Sequence, residues 1–187
     1  MLRHTAFFRQ ICLAVTLISC GLQPLVFATS TATKSPYILK TVVIDPGHGG
    51  KDSGCISPWK IQEKDVTLAI GLKLAEVLKK SQYKVYLTRT TDRFISLPKR
   101  VQLANNYPPD QTLFISIHCN SAKDKSAHGI ETFVVPPEGT PKTGDYKPSS
   151  RTPGNEYDKF NTRLAYEVHR YVVAATGGHD RGVKRAR

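Results

Sequence analysis

VVIDPGHGGKDSG, residues 42–54, passes from a β-branched apolar run into a loop in which Gly47, Gly49 and Gly50 surround a single histidine, His48. A β-branched run that stops at Pro and Gly reads as a buried strand ending in a turn. The glycines allow backbone angles that a side chain would forbid, so the loop can curl and hold His48 just beyond the strand's carboxyl edge.

The same pattern repeats outward from this stretch. KTVVID is the first strand, and Asp65 to Lys80 reads as a helix with Val66, Ile70, Leu74, Val77 and Leu78 on one face. KVYLTR is a second strand. Ser96 then starts a helix that runs to about Asn106, with Pro98 tolerated in its first turn. TLFISIH gives a third, buried strand and GIETFVV a fourth.

A Pro-, Gly- and Ser-rich segment from Pro136 to Gly154 reads as a surface loop. After it, Tyr157 to Ala175 reads as a helix with Leu164, Val168, Tyr171, Val172 and Ala175 facing inward, and Gly178 to Arg187 leads into a further strand region. Strands separated by crossover helices predict an α/β fold with a mixed, mainly parallel sheet and helices on both faces. In such sheets, sites form beyond the carboxyl ends of the strands.

The chain has 187 residues, about one domain, and 40 % of them are hydrophobic, enough for a packed core. Arg3 and Arg9 flank the apolar stretch Ile11 to Ile18, and Val26-Phe27-Ala28 offers a small-residue cleavage site, so residues 1–28 read as a secretory signal peptide. Residues 29–37 (TSTATKSPY) read as a linker, which leaves 38–187 as the domain. Leu17-Ile18-Ser19-Cys20 resembles the lipobox of bacterial lipoproteins and offers Cys20 as a lipid anchor.

Removing residues 1–28 would leave Cys55 and Cys119, either bridged or as free thiols. The formal charge of +12 becomes 25 − 15 = +10 without Arg3 and Arg9. A basic surface draws nucleic acid, anionic lipid or anionic wall polymer. Secretion argues against nucleic acid and favours the wall; a monomer in the periplasm or cell envelope is expected.

Two strands deliver a histidine to the edge where a site should lie, since KTVVID leads to His48 and TLFISI leads directly to His118. Neutral imidazole is a common zinc ligand, and a catalytic zinc takes three protein ligands and keeps one position for water. Glu63, immediately before the first helix, is the best third ligand, and Asp45 could orient a ligand histidine. Two histidines and a glutamate spread over roughly seventy positions also occur by chance. Spacing alone therefore leaves a metal site and ordinary structural residues both open.

Motif after motif, the chain resembles the zinc-dependent N-acetylmuramoyl-L-alanine amidases of bacterial cell-wall turnover. VVIDPGHGGKDSG is similar to the family's first signature. Glu63 follows in QEKDVTLAIGLKLAEVL, then Arg89, Asp92, Arg100 and Asn105 in TRTTDRFISLPKRVQLAN, then LFISIHCNS, GIETFVV, NTRLAYEV and RGVKR. The similarity covers about Thr41 to the last residue. It implies that His48, Glu63 and His118 bind Zn2+, that Arg89, Asp92, Arg100 and Asn105 hold the scaffold, and that the substrate is the amide joining N-acetylmuramic acid to L-alanine in peptidoglycan.

In the family a general-base glutamate lies in a later motif, beyond the position of Arg187, so the resemblance implies a domain without its last strands and closing helix. Glu131 is the nearest substitute base by sequence, although a partner for a nearby basic group is its commoner role. Some family members carry, at the place of Pro136 to Gly154, a helix that covers the zinc until a protein activator displaces it. This segment is too rich in Pro and Gly for such a helix, so an open site is expected.

Two rival functions leave traces. Ser57 with Lys60, and Ser96 with Lys99, match S-x-x-K, and Lys142-Thr143-Gly144 matches K-T-G, the strings of penicillin-binding serine D-alanyl carboxypeptidases. The S-D-N element between them is absent, and Ser96 also reads as a helix cap. A domain lacking its base could instead bind zinc and peptidoglycan without cutting.

Overall fold

The computed structural model describes residues 38–120, 126–144 and 157–185. The leader, the linker, Cys20 and the loop after residue 144 lie outside the described residues. Among the described residues no helix is long and apolar enough to cross a membrane.

The strand β1 (Thr41–Pro46) is buried along its whole length and lies between β2 (Lys84–Leu87) and β3 (Thr112–Ile117), parallel to both. Its β-branched side chains suit a strand covered on both faces, and each Val or Ile so buried contributes about 1.5–3 kcal/mol. The register sets Ile44 between Leu87 and Ile115, and Asp45 beside Ser116. The last rung is the Gly47 N–H donating to the Ile117 carbonyl at 2.9 Å, which puts His118 directly beside the glycine loop.

Two helices, α1 (Glu63–Lys79) and α2 (Leu97–Ala104), meet β1 from opposite sides. Alternation along the strand turns Ile44 toward Gly71 of α1 and Asp45 toward Arg100 of α2. The buried stripe of α1 consists of Thr67, Gly71 and Ala75 at four-residue spacing, with Leu74 and Leu78 packed beside it. Ile70 and Val77, expected inside, are about half exposed. The reason is proximity: a Cβ on Gly71 would stand 2.7 Å from the Pro46 ring, so small residues line the contact and the larger ones are displaced to its flanks.

A second parallel ribbon pairs β4 (Ile130–Val134) with β5 (Asp180–Arg185), and α3 (Asp158–Thr176) packs on it. The α/β organisation expected from the sequence is present, with every strand pairing among the described residues parallel and the strands divided into two ribbons. Two expectations change here. β3 is not uniformly buried, since Phe114 is exposed. The inward residues of α3 are Asp158, Ala165 and His169, whereas Tyr171, Val168 and Val172 are exposed. His169 takes the interior position because its two ring nitrogens are satisfied there, by Thr132 Oγ1 at 3.1 Å and Asp180 Oδ1 at 2.7 Å.

Candidate metal centre

The loop after β1 is fixed through its carbonyls. Arg89, fully buried, donates to the carbonyls of Pro46 at 2.9 Å, Gly47 at 2.8 Å and Lys64 at 2.7 Å. Arg100 donates to those of Pro46 at 2.8 Å and His48 at 2.7 Å while its Nη1 pairs with Asp45 at 2.6 Å. Asp92 accepts from the Gly50 N–H and from Lys64, and the Asn105 N–H closes α2 on Val101. These four residues hold the scaffold.

Held in this way, His48 adopts φ = 61°, a left-handed backbone that is uncommon for a residue with a side chain and persists only when its surroundings enforce it. Gly47 has a different task. A Cβ there would lie 2.4 Å from the His118 ring, so the missing side chain is the space that the second imidazole fills.

Glu63 opens α1 because residues 55–62 fold back on themselves through the Ile56–Gln62 bridge. Its buried carboxylate accepts the N–H of Cys55 at 3.0 Å on Oε2 and the N–H of Cys119 at 2.7 Å on Oε1. Burial pushes this carboxyl up, but the two backbone donors and the Cys55 thiol outweigh it, so Glu63 is held below the ordinary carboxylate range and stays ionised.

Three donor atoms converge. Nε2 of His48 lies 3.2 Å from Oε1 of Glu63, Nδ1 of His118 lies 3.1 Å from the same oxygen, and the two nitrogens are 3.2 Å apart. Ligands about 2.0–2.1 Å from one tetrahedral ion stand roughly 3.3 Å from each other, so the triangle has the size a zinc site requires.

The His48 ring is oriented by a carboxylate. Nδ1 of His48 meets Oδ2 of Asp52 at 3.0 Å, and an ionised Asp52, its pKa lowered chiefly by that bond, accepts a proton-bearing nitrogen. A metal-binding imidazole is neutral, and in that form the Asp52 bond keeps the proton on Nδ1 and leaves the Nε2 lone pair directed into the triangle.

The triangle is open on one side. Exposure rises from the Glu63 side chain at 3 % to His48 at 23 % and His118 at 46 %. A cleft of about 770 Å³ lies before it, walled on the far side by Gly129, Ile130, Glu131 and Arg181.

Other expected residues take different places. Asp45 does not orient an imidazole: it faces α2, where it accepts from Thr88, Arg100 and Ser116. The residue that does so is Asp52, four positions after His48 and placed by the Gly49–Asp52 bridge of the glycine loop. Its signal in the sequence was the turn itself, which returns the chain to the histidine within four residues.

Glu131 accepts from Arg181 at 3.1 Å and from Lys184 and Asn120, and the Lys184 bond first, then that of Arg181, holds its pKa low despite burial. Cys55 and Cys119 are free thiols, and burial pushes the Cys119 thiol up.

Neither Ser-Lys string forms a pair among the described residues. The Ser57 hydroxyl accepts the Ile61 N–H, Lys60 sits in that turn, Ser96 stands at the start of α2 without a side-chain cap bond, and Lys99 reaches Gln102.

Two histidines beyond the carboxyl edge of a parallel sheet, with a glutamate at the start of the adjoining helix, form a group of the kind that could hold a metal ion. The chain belongs to the N-acetylmuramoyl-L-alanine amidase family, whose pattern it matches over residues 42–187.

It is 39 % identical over 103 residues to N-acetylmuramoyl-L-alanine amidase AmiC of Escherichia coli, covering 54 % of this chain and 24 % of that one. The solved catalytic domain of CwlV, an amidase from Paenibacillus polymyxa, superposes with a TM-score of 0.63 at 33 % identity, over 80 % of this chain and 71 % of that one. The CwlD amidase from Clostridioides difficile, solved in complex with the GerS lipoprotein, gives 0.55 at 26 %, over 79 % and 72 %. The chain spans 24 to 60 % of the length of the first curated relatives it matches.

Proposed function

We propose that this protein is a zinc-dependent peptidoglycan amidase that hydrolyses the bond between N-acetylmuramic acid and L-alanine, in wall remodelling or cell separation. The observation that carries the reading is the triangle of His48, Glu63 and His118 donors, opening on a cleft, in a chain of this family.

A zinc ion held there supplies Lewis acidity and a bound water of lowered pKa. The chain's own part is to prepare the ligands. Asp52 holds the Nδ1 proton of His48 and turns Nε2 inward, and the N–H groups of Cys55 and Cys119 keep Glu63 ionised and still. The permissive loop leaves room for His118. Glu131 is engaged by two cations, which speaks against its use as a base.

An envelope location is part of the same reading, supported by the leader-like sequence of residues 1–28 and the formal charge of +12. A protein partner belongs to the same reading, supported by the lipoprotein complex of the CwlD amidase.

Purified peptidoglycan digested with and without a chelator tests the proposal. Stem peptides with a new N-terminal L-alanine are expected, abolished by the chelator or by His118→Ala and restored to the unaltered protein by zinc. Release of terminal D-alanine that ignores the chelator would favour the serine reading. Co-sedimentation with peptidoglycan and no new ends would mark a binding module.

A further inference from the structure

Across the cleft from the triangle, Arg181 is the only arginine or lysine that lines the wall among the described residues. Its aliphatic stem lies over Gly129, where a Cβ would stand 3.1 Å from both Cγ and Cδ. Its Nε donates to Glu131 at 3.1 Å, and Glu131 is in turn held by Lys184 and Asn120. The guanidinium is thus fixed along one edge. Among the described residues its terminal nitrogens make no hydrogen bond, and the side chain is 35 % exposed.

Glu131 pairs with both Arg181 and Lys184, and Lys184 lies outside the cleft lining, so the Glu131 carboxylate is shared and does not belong to Arg181 alone. A guanidinium anchored through Nε that presents both Nη groups is shaped for a carboxylate, which it grips by two parallel bonds. Because a Lewis-acid site and a carboxylate receptor share one cleft, a ligand reaching both must carry an amide and, a short way along, an anion.

The amidase reading, on which this inference rests, supplies such a ligand. In a wall peptide whose second residue is a glutamate joined through its side-chain carboxyl, the α-carboxylate remains free one residue beyond the scissile amide, on the leaving-group side. We propose that Arg181 is a specificity-determining residue that takes this α-carboxylate. It selects wall peptides in which the group is free over those in which it is amidated.

The test uses the full 187-residue chain loaded with zinc and two substrates whose γ-carboxyl is joined to a third residue, N-acetylmuramoyl-L-Ala-γ-D-Glu-L-Lys and N-acetylmuramoyl-L-Ala-D-isoGln-L-Lys. Loss of a charged hydrogen bond predicts a kcat/KM ratio of roughly ten- to a hundredfold in favour of the free acid, expressed in KM. Arg181→Gln should bring that ratio to about one, and Arg181→Lys should keep part of it, since an ammonium retains the charge without the fork.

If Arg181 serves only to hold Glu131, Arg181→Gln lowers both substrates in parallel and leaves the ratio intact, which overturns the proposal. Equal rates on the two substrates with the unaltered protein overturn it as well and leave the amidase reading standing. That reading is decided by the peptidoglycan digestion. Should neither short substrate be cut, binding of L-Ala-γ-D-Glu-L-Lys and L-Ala-D-isoGln-L-Lys measured by ligand-observed NMR decides the matter. A preference for the free acid that disappears in Arg181→Gln supports the assignment, and equal or absent binding refutes it.

Discussion

The two ribbons of this molecule are built to different standards. In the first, β1 is buried at all six positions and the carbonyls that follow it are gripped by two buried guanidinium groups. In the second, no residue of β4 or β5 is fully buried, Phe133 is half exposed, and Glu131 is tied by ion pairs to Arg181 and Lys184. Both candidate histidines and the glutamate belong to the first ribbon and its helix, while the second contributes a wall of the cleft. Metal ligands need positions fixed to a fraction of an ångström, and a wall that reads a flexible peptide does not.

The comparison breaks first at Arg89. Arg89→Met should cost about 2–4 kcal/mol, because it strips a buried donor from the carbonyls of Pro46, Gly47 and Lys64. Urea unfolding of the metal-free protein, with a lowered midpoint at unchanged slope, is the measurement. A cost below 1 kcal/mol would mean that the first ribbon is no stiffer than the second.

Asp52→Asn separates ligand orientation from stability. Zinc affinity, read by competition with a chromogenic chelator, should fall about ten- to a hundredfold, as for other groups that orient a ligand histidine. The metal-free melting temperature should barely move, since Asp52 is close to half exposed.

The smallest effect is expected in the second ribbon. Glu131 has a folded pKa lowered below its ordinary 4.5, so its contribution is complete above that value and is lost as pH falls through the lower folded one. Glu131→Gln should therefore cost about 0.5–1 kcal/mol at pH 7, a difference that narrows as the solution is acidified below 4.5. Thermal melts from pH 7 down to 3 check the sign, and a gap that widens in acid would contradict it.

How much of this was legible in the sequence depends on what each residue had to touch. β1 was readable because a strand buried on both faces needs nothing but apolar β-branched side chains. Spacing left His48, Glu63 and His118 open between ligands and ordinary residues; the resemblance grouped them, and their donor atoms lie 3.1–3.2 Å apart. The inward face of α1 was misread for a steric reason: at the distance set by Pro46, Gly71 and Thr67 fit where Ile70 and Val77 would not. His169 was missed in α3 because its burial depends on partners in β4 and β5, which no helical period can reveal. Asp45 drew attention by standing near the glycine loop, yet strand alternation sends its side chain to Arg100, away from both histidines.

The rung from the Gly47 N–H to the Ile117 carbonyl gives the site one more property. It is the final bond of the β1–β3 pairing, and His118 is the next residue along the chain. A slip of one position would carry the imidazole out of the gap that Gly47 leaves and turn it to the opposite face. Three-ligand zinc binding would therefore act as a gauge of strand register. Only chains zipped to the last rung could hold the ion, and the ion would in turn hold them there.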